Sequence, residues 1–157
     1  TSEPIFTFFK QAYNFIWQRS DGKLQVYWGG IGYITDGEVK ISNKWNMITV
    51  TAYWSGSLGT VKVYVDGEFV AQGTTSTQWS NSYNYYENSI AYSHHTSTPK
   101  AGEGFIGEFQ VYSTPLTDAQ IKQNYSATKH KYAYGIASVH LPLNNTSTGS
   151  IVDDSSL

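Results

Sequence analysis

Apolar and polar residues alternate with a period of two through most of the first two thirds of the chain, the spacing of half-buried β-strands. Ile5–Phe9, Asn14–Gln18 and Leu24–Trp28 read as short strands. Asp21-Gly22 lies between two of them, and because both residue types tolerate positive φ the pair predicts a two-residue hairpin turn. Asp36-Gly37 repeats that turn signal ahead of a strand over Glu38–Ser42. Trp45–Tyr53, "WNMITVTAY", is apolar enough to predict a central strand covered on both sides. The clearest pattern is "VKVYVDGEFVAQG". Val61, Val63 and Val65 alternate with Lys62 and Tyr64, Asp66-Gly67 turns the chain, and Phe69 and Ala71 alternate with Glu68 and Val70, which is a hairpin. Gly104–Tyr112 reads as a further strand, bent near Gly107.

One segment has helical spacing instead. Thr117 is placed to cap a helix, with Gln120 three residues later as in a capping box. Leu116, Ile121 and Tyr125 recur so as to dock on a sheet, and the cationic side chains within Ser126–Lys131 suit a helix C-terminus. The pattern therefore predicts an all-β chain, a two-sheet antiparallel β-sandwich, with one short surface helix near residues 117–127. Between Gly73 and Gly102 only Ser89–Ser93 looks like a strand. The rest predicts loops, unusually rich in Trp and Tyr.

Composition sharpens this picture. The 157 residues suffice for one domain with its own core. Charged residues are 14% of the chain, against about 25% in average proteins, and the net charge is −2. The surface is therefore polar through Ser, Thr, Asn and Tyr, and no basic stripe suggests a nucleic-acid partner. There is no Cys, which excludes a disulfide framework and thiolate metal sites. No apolar run approaches the roughly 20 residues of a membrane span, so no membrane insertion is expected.

Three motifs together resemble the laminin-G-like branch of the concanavalin A-like lectin/glucanase jelly rolls. They are "WNMITVTAY" with "VKVYVDGEFVAQG" after it, the strand near Ile90, and "FIGEFQVYSTPLTDAQIKQNY", similar to that family's closing strand and short helix. The resemblance implies a jelly-roll sandwich over residues 1–135 that lacks its usual opening strand. Residues 136–157 look like such an opening. Val139, Leu141 and Leu143 alternate there with His140 and Pro142, and would complete this sandwich or a neighbour's. "QNYSATKHKY" is similar to the segment that succeeds this fold in structural proteins of tailed phages.

The candidate chemistry is that of binding. Polysaccharide-cleaving relatives carry interleaved acids on one strand face, as hydrolysis by a carboxylate pair requires. Here Glu38, Glu68, Glu87, Glu103 and Glu108 are each isolated, so no catalytic residue and no enzyme is expected. His94-His95 would point to opposite strand faces and is not read as a metal site. Asp153 and Asp154 fit turn capping, with a Ca²⁺ site as the alternative, so no cofactor is expected. Trp79, Tyr83, Tyr85, Tyr86 and Tyr92, with Asn81 and Asn84, are the binding candidates. Rings can stack on sugars and amides can bond hydroxyls, or the same tyrosines can cover subunit contacts. Trp17, Trp28 and Trp45 read as core. The expected function is a non-enzymatic structural or binding module on a virion surface or outside the cell. Its expected partners are its own copies, other virion structural proteins or a cell-surface glycan. A carbohydrate-binding adhesin domain is the alternative, and a polysaccharide-active enzyme a weaker one.

Overall fold

The structure, a computed structural model, describes residues 3–8, 14–41, 44–77, 89–90, 92–93, 100–101 and 106–133. Its strands are β1 (Glu3–Phe8), β2 (Asn14–Gln18), β3 (Lys23–Trp28), β4 (Gly32–Lys40), β5 (Ile48–Ser55), β6 (Leu58–Val65), β7 (Glu68–Thr75), β8 (Ser89–Ile90), β9 (Tyr92–Ser93) and β10 (Lys100–Ala101). The helix α1 spans Asp118–Ala133. The front sheet runs β4-β3-β2-β1-β8 and the back sheet β5-β6-β7, all antiparallel, beside a β9-β10 pair.

The two main sheets meet through one face each. Leu24 and Val26 of β3 are fully buried and cluster with Ile16 of β2, Ile41 after β4, and Val63 and Val65 of β6. Ile34, Val39, Ile48, Val50 and Val70 surround this cluster. The fold is therefore the expected all-β sandwich. Thr35 is buried among these side chains without an orphaned hydroxyl. Its Oγ1 accepts the Val26 N–H at 3.1 Å and donates to the Leu24 carbonyl at 3.3 Å, bridging an irregularity in the β3-β4 ladder.

Turn chemistry decides the details. Asp66 and Gly67 adopt φ of 55° and 82°, the two positive values of a tight two-residue hairpin. Asp66 also ties the chain ahead of β5, since its carboxylate accepts the Met47 N–H at 2.9 Å and its N–H donates to the Met47 carbonyl at 2.8 Å. The β2-β3 connection differs from expectation. The Gly22 N–H bonds the Arg19 carbonyl and the Arg19 N–H bonds the Lys23 carbonyl, both at 2.8 Å, and only Gly22 of the Asp21-Gly22 pair has positive φ. This is a longer turn closed by a glycine rather than a two-residue one.

Asp36-Gly37 is not a turn at all. Both lie inside β4, where Gly37, at φ 109°, absorbs a shift of register against β3. Arg19 and Gln25 bond the Asp36 carboxylate, holding it to the neighbouring strand instead of releasing it into a loop. Trp45–Met47 precede β5 rather than opening it, and β5 lies at the edge of the described back sheet. The central strand is β6, because only it has ladders on both sides. Ile106–Tyr112 form no ladder among the described residues. Glu108, Gln110 and Tyr112 bond one another along one side, while Val111 is 73% exposed. Trp17, Trp28 and Trp45 are half-buried and lie outside the central cluster.

The helix starts as its sequence dictates. The Thr117 Oγ1 accepts the Gln120 N–H at 3.3 Å, and the Gln120 Oε1 accepts the Thr117 N–H at 2.9 Å. It then runs to Ala133, past the expected end, with Lys131 3.8 Å from Glu108. Ile121 is fully buried, and Tyr125 lies so close that a Cβ on Gly67 would sit 3.0 Å from its own Cβ. The buried Tyr64 hydroxyl donates to Asp118 at 2.6 Å, with Lys62 3.5 Å from the same carboxylate. Burial first, and then the Asp118 hydrogen bond, push the Tyr64 phenol well above its ordinary value of 10.0. Residues after Ala133 lie outside the described part, Val139, Leu141 and Leu143 among them.

This packing can be probed in two ways. A Cβ on Gly73 would lie 2.4 Å from Ile31 Cγ2 and 3.4 Å from Ile34 Cγ1, so β7 approaches the start of β4 where only hydrogen fits. Gly73→Val should destabilise the fold by about 1–3 kcal/mol in denaturant titration, whereas an unchanged midpoint would show that the sheets are not held this closely. The Asp118 carboxyl titrates below its ordinary 3.8, chiefly through the Tyr64 hydrogen bond. Its stabilising effect is therefore present above 3.8 and lost as pH falls through the lower folded value. Thermal melts of Asp118→Asn should lose part of the parent's acid sensitivity in that window.

Candidate functional site

The face of the front sheet opposite the core is aromatic. Strand alternation places Phe15 and Trp17 of β2 and Tyr27 of β3 on the side that Ile16, Leu24 and Val26 avoid. Tyr33 joins them from β4 because it pairs with Tyr27. The rings pack in sequence across the strands. Phe15 lies 4.4 Å from Trp17 and stacks on Tyr27 at 5.2 Å and 12°, and Tyr27 meets Tyr33 edge-on at 5.0 Å and 82°. Burial grades along the row. Phe15 is 6% exposed, Trp17 and Tyr27 are half-buried, and Tyr33 is 54% exposed. The inner rings thus brace the outermost one, so an apolar surface is presented in a fixed orientation.

Polar groups adjoin the row on the same face. Gln25, two residues before Tyr27, donates from Nε2 to Asp36 Oδ1 at 2.9 Å. Arg19 Nη1 donates to the same oxygen at 2.8 Å and to the Asp36 carbonyl at 3.0 Å, while Nε lies 3.4 Å from Asp21. The Gln25 hydrogen bond, followed by that of Arg19, holds the Asp36 carboxyl below the usual carboxylate range. Its partner carboxylates in turn raise Arg19, with the Asp36 hydrogen bond the leading cause. An aromatic surface beside fixed amide and carboxylate oxygens suits a ligand with an apolar face and hydroxyls at its edge.

Most of the residues chosen from sequence fall outside the described part. Trp79, Asn81, Tyr83, Asn84, Tyr85 and Tyr86 are outside the described residues, as are Asp153 and Asp154. Tyr92 is described only as backbone of β9, paired with Ala101. Sequence reasoning misses Tyr27, Tyr33, Gln25 and Asp36, and it places Trp17 in the core. Their signal is present in the period-two pattern: Phe15 and Trp17 before the Asp21-Gly22 turn and Tyr27 after it fall on one face once the hairpin is paired. Among the described residues no group of three or more His, Asp or Glu could hold a metal ion, and no helix is long and apolar enough to cross a membrane.

A concavity of about 480 Å³ lies where the start of α1 crosses the back sheet. It is lined by Thr51, Tyr53, Lys62, Tyr64, Leu116 and Asp118 among others. Tyr64 and Lys62 both bond Asp118 there, so its polar groups serve to clamp the helix.

Comparison with known proteins agrees with this architecture. A family model described as the concanavalin A-like lectin/glucanases superfamily matches residues 1–122. The chain belongs to this superfamily. No curated protein matches it. Among solved structures it is similar to an S-layer domain-containing protein from Clostridium thermocellum, at 26% identity and a TM-score of 0.39, covering 79% of this chain. The chain spans 63% of the length of that one.

The graded burial of this lectin/glucanase-type face separates support from contact surface. Phe15→Ala should cost about 3–5 kcal/mol of stability, as for a buried ring, while Tyr33→Ala should cost no more than about 1.5 kcal/mol, the worth of its edge-on pair with Tyr27. Equal losses in chemical denaturation would mean that Tyr33 is structural.

Proposed function

We propose that this chain is a non-catalytic carbohydrate-binding domain of a surface-exposed protein, and that the Tyr33 end of the aromatic row receives a sugar. The observation that carries this reading is the braced row of rings next to Gln25 and Asp36. A sugar ring has apolar C–H faces and a hydroxyl rim, and such a pair of surfaces matches it. Family membership supports the reading at the level of the fold, and the site supplies the rest.

The absence of catalysis is part of the proposal. Glu38 accepts the Asp36 N–H at 2.8 Å, Glu68 pairs with Lys122 at 2.8 Å, and Glu108 contacts Lys131 and Gln110. Each of these three glutamates thus has a separate structural partner, which supports binding without turnover.

A second reading, a virion-surface module that contacts its own copies, draws on the tailed-phage likeness of "QNYSATKHKY". The exposed Val111 and Tyr112, beside Phe109, favour it, because apolar side chains grouped outside a core mark contact surfaces.

A glycan array followed by calorimetry tests the first reading. Retention of at least one glycan is expected, with Tyr33→Ala weakening it roughly three- to tenfold, the equivalent of about 0.5–1.5 kcal/mol for one aromatic contact. A protein that retains no glycan and sediments as a concentration-dependent oligomer would replace the first reading with the second.

A further inference from the structure

We infer that the aromatic face of the front sheet selects uncharged glycans over acidic ones, because the one guanidinium beside it is already held by this chain's own carboxylates. The inference rests on the carbohydrate-binding reading above and names the class of sugar.

Arg19 is the only arginine in the sequence. Guanidinium is the side chain best shaped to grip a carboxylate or sulfate through two parallel hydrogen bonds, so the state of Arg19 largely decides whether this face can recognise an acidic sugar. Three of its five N–H donors are engaged, so neither edge of the fork keeps two parallel free donors. Nη1 serves both the carboxylate and the carbonyl of Asp36, and Nε faces Asp21. Its position is fixed as well, since it lies against Gly37, where even a Cβ would come within 3.3 Å of Nη1.

The surrounding charges act in the same direction. Asp21 and Asp36 place two negative charges against Arg19, and Glu38 adds a third beside Asp36. Lys23 is 3.9 Å from Asp21, and Lys40 is opposite Lys23 in register. Lys23 is four residues from Tyr27, about 13 Å along an extended strand, too far to reach a carboxylate on a ring stacked at the Tyr33 end without a second sugar in between. An acidic ligand would therefore have to displace Asp36 from Arg19 or sit beside carboxylates, with Lys23 and Lys40 at the far end of the β3-β4 pair. A neutral sugar meets neither obstacle. Its hydroxyls can donate to the remaining Asp36 oxygen and accept from the second Gln25 N–H.

The test is calorimetric titration of the full chain with matched oligosaccharides that differ only in a hydroxymethyl or a carboxylate at the same ring carbon. The native protein should bind the neutral member at least tenfold more tightly. Raising NaCl from about 50 to about 500 mM should change that affinity by less than about twofold, because charged contacts, which salt screens, contribute little. Asp36→Asn should release Arg19 and narrow the preference at least threefold. Tighter binding of the carboxylated member by the native protein would overturn the inference while leaving the carbohydrate reading intact. So would a steep loss of neutral-sugar affinity with salt, a measurement that needs no variant. Binding of neither member, together with an empty glycan array, would instead remove the carbohydrate reading itself.

Discussion

Contact between the inner faces of β3 and β6 is the constraint on which the rest of this structure depends. Leu24 and Val26 on one strand and Val63 and Val65 on the other bring the two sheets into contact. Alternation then obliges every second residue of the same strands to face away from that contact. Gly73 sets how near the sheets come, because no side chain fits between β7 and Ile31. Once the interior is defined, two outer faces exist, and the composition of each determines what it does.

The back sheet uses its outer face for its own helix. Tyr64 and Lys62, the alternates of the buried valines, reach Asp118 in the first turn of α1, and further along the helix Ile121 is buried and Tyr125 meets Gly67 of the β6-β7 hairpin. The front sheet has no such cover among the described residues. Its alternates are Phe15, Trp17 and Tyr27, joined by Tyr33, and they pack on one another. The same alternation that buries the core thus yields a clamp on one side and an aromatic surface on the other.

The guanidinium beside that surface is paired within the chain. On the proposed carbohydrate reading, a guanidinium held by Asp36 and Asp21 leaves hydrogen bonding and ring contact as the means of recognition. Such a face suits weak, repeated contacts with uncharged ligands, where avidity across many copies raises affinity without new chemistry at each site. The lectin/glucanase-type sandwich supplies a rigid support for it, and rigidity matters because an oriented ring loses little entropy on binding.

Local patterns alone determined the all-β class, the Asp66-Gly67 hairpin and the capped start of α1, because each depends on neighbours a few residues apart. Val61, Val63 and Val65 need only their own alternation, and Thr117 and Gln120 need only each other. Tertiary structure decided what those patterns leave open. Asp36-Gly37 has the composition of a turn, yet cross-strand bonds from Arg19 and Gln25 keep it within β4. Gly104–Tyr112 has the alternation of a strand, yet Ile106–Tyr112 gain no ladder among the described residues, since a strand exists only where another pairs with it. Trp17 looks apolar enough for the core, but its parity relative to Ile16 places it on the opposite face. Which of two faces becomes the interior is set by the partner sheet, and no single strand's sequence contains that information.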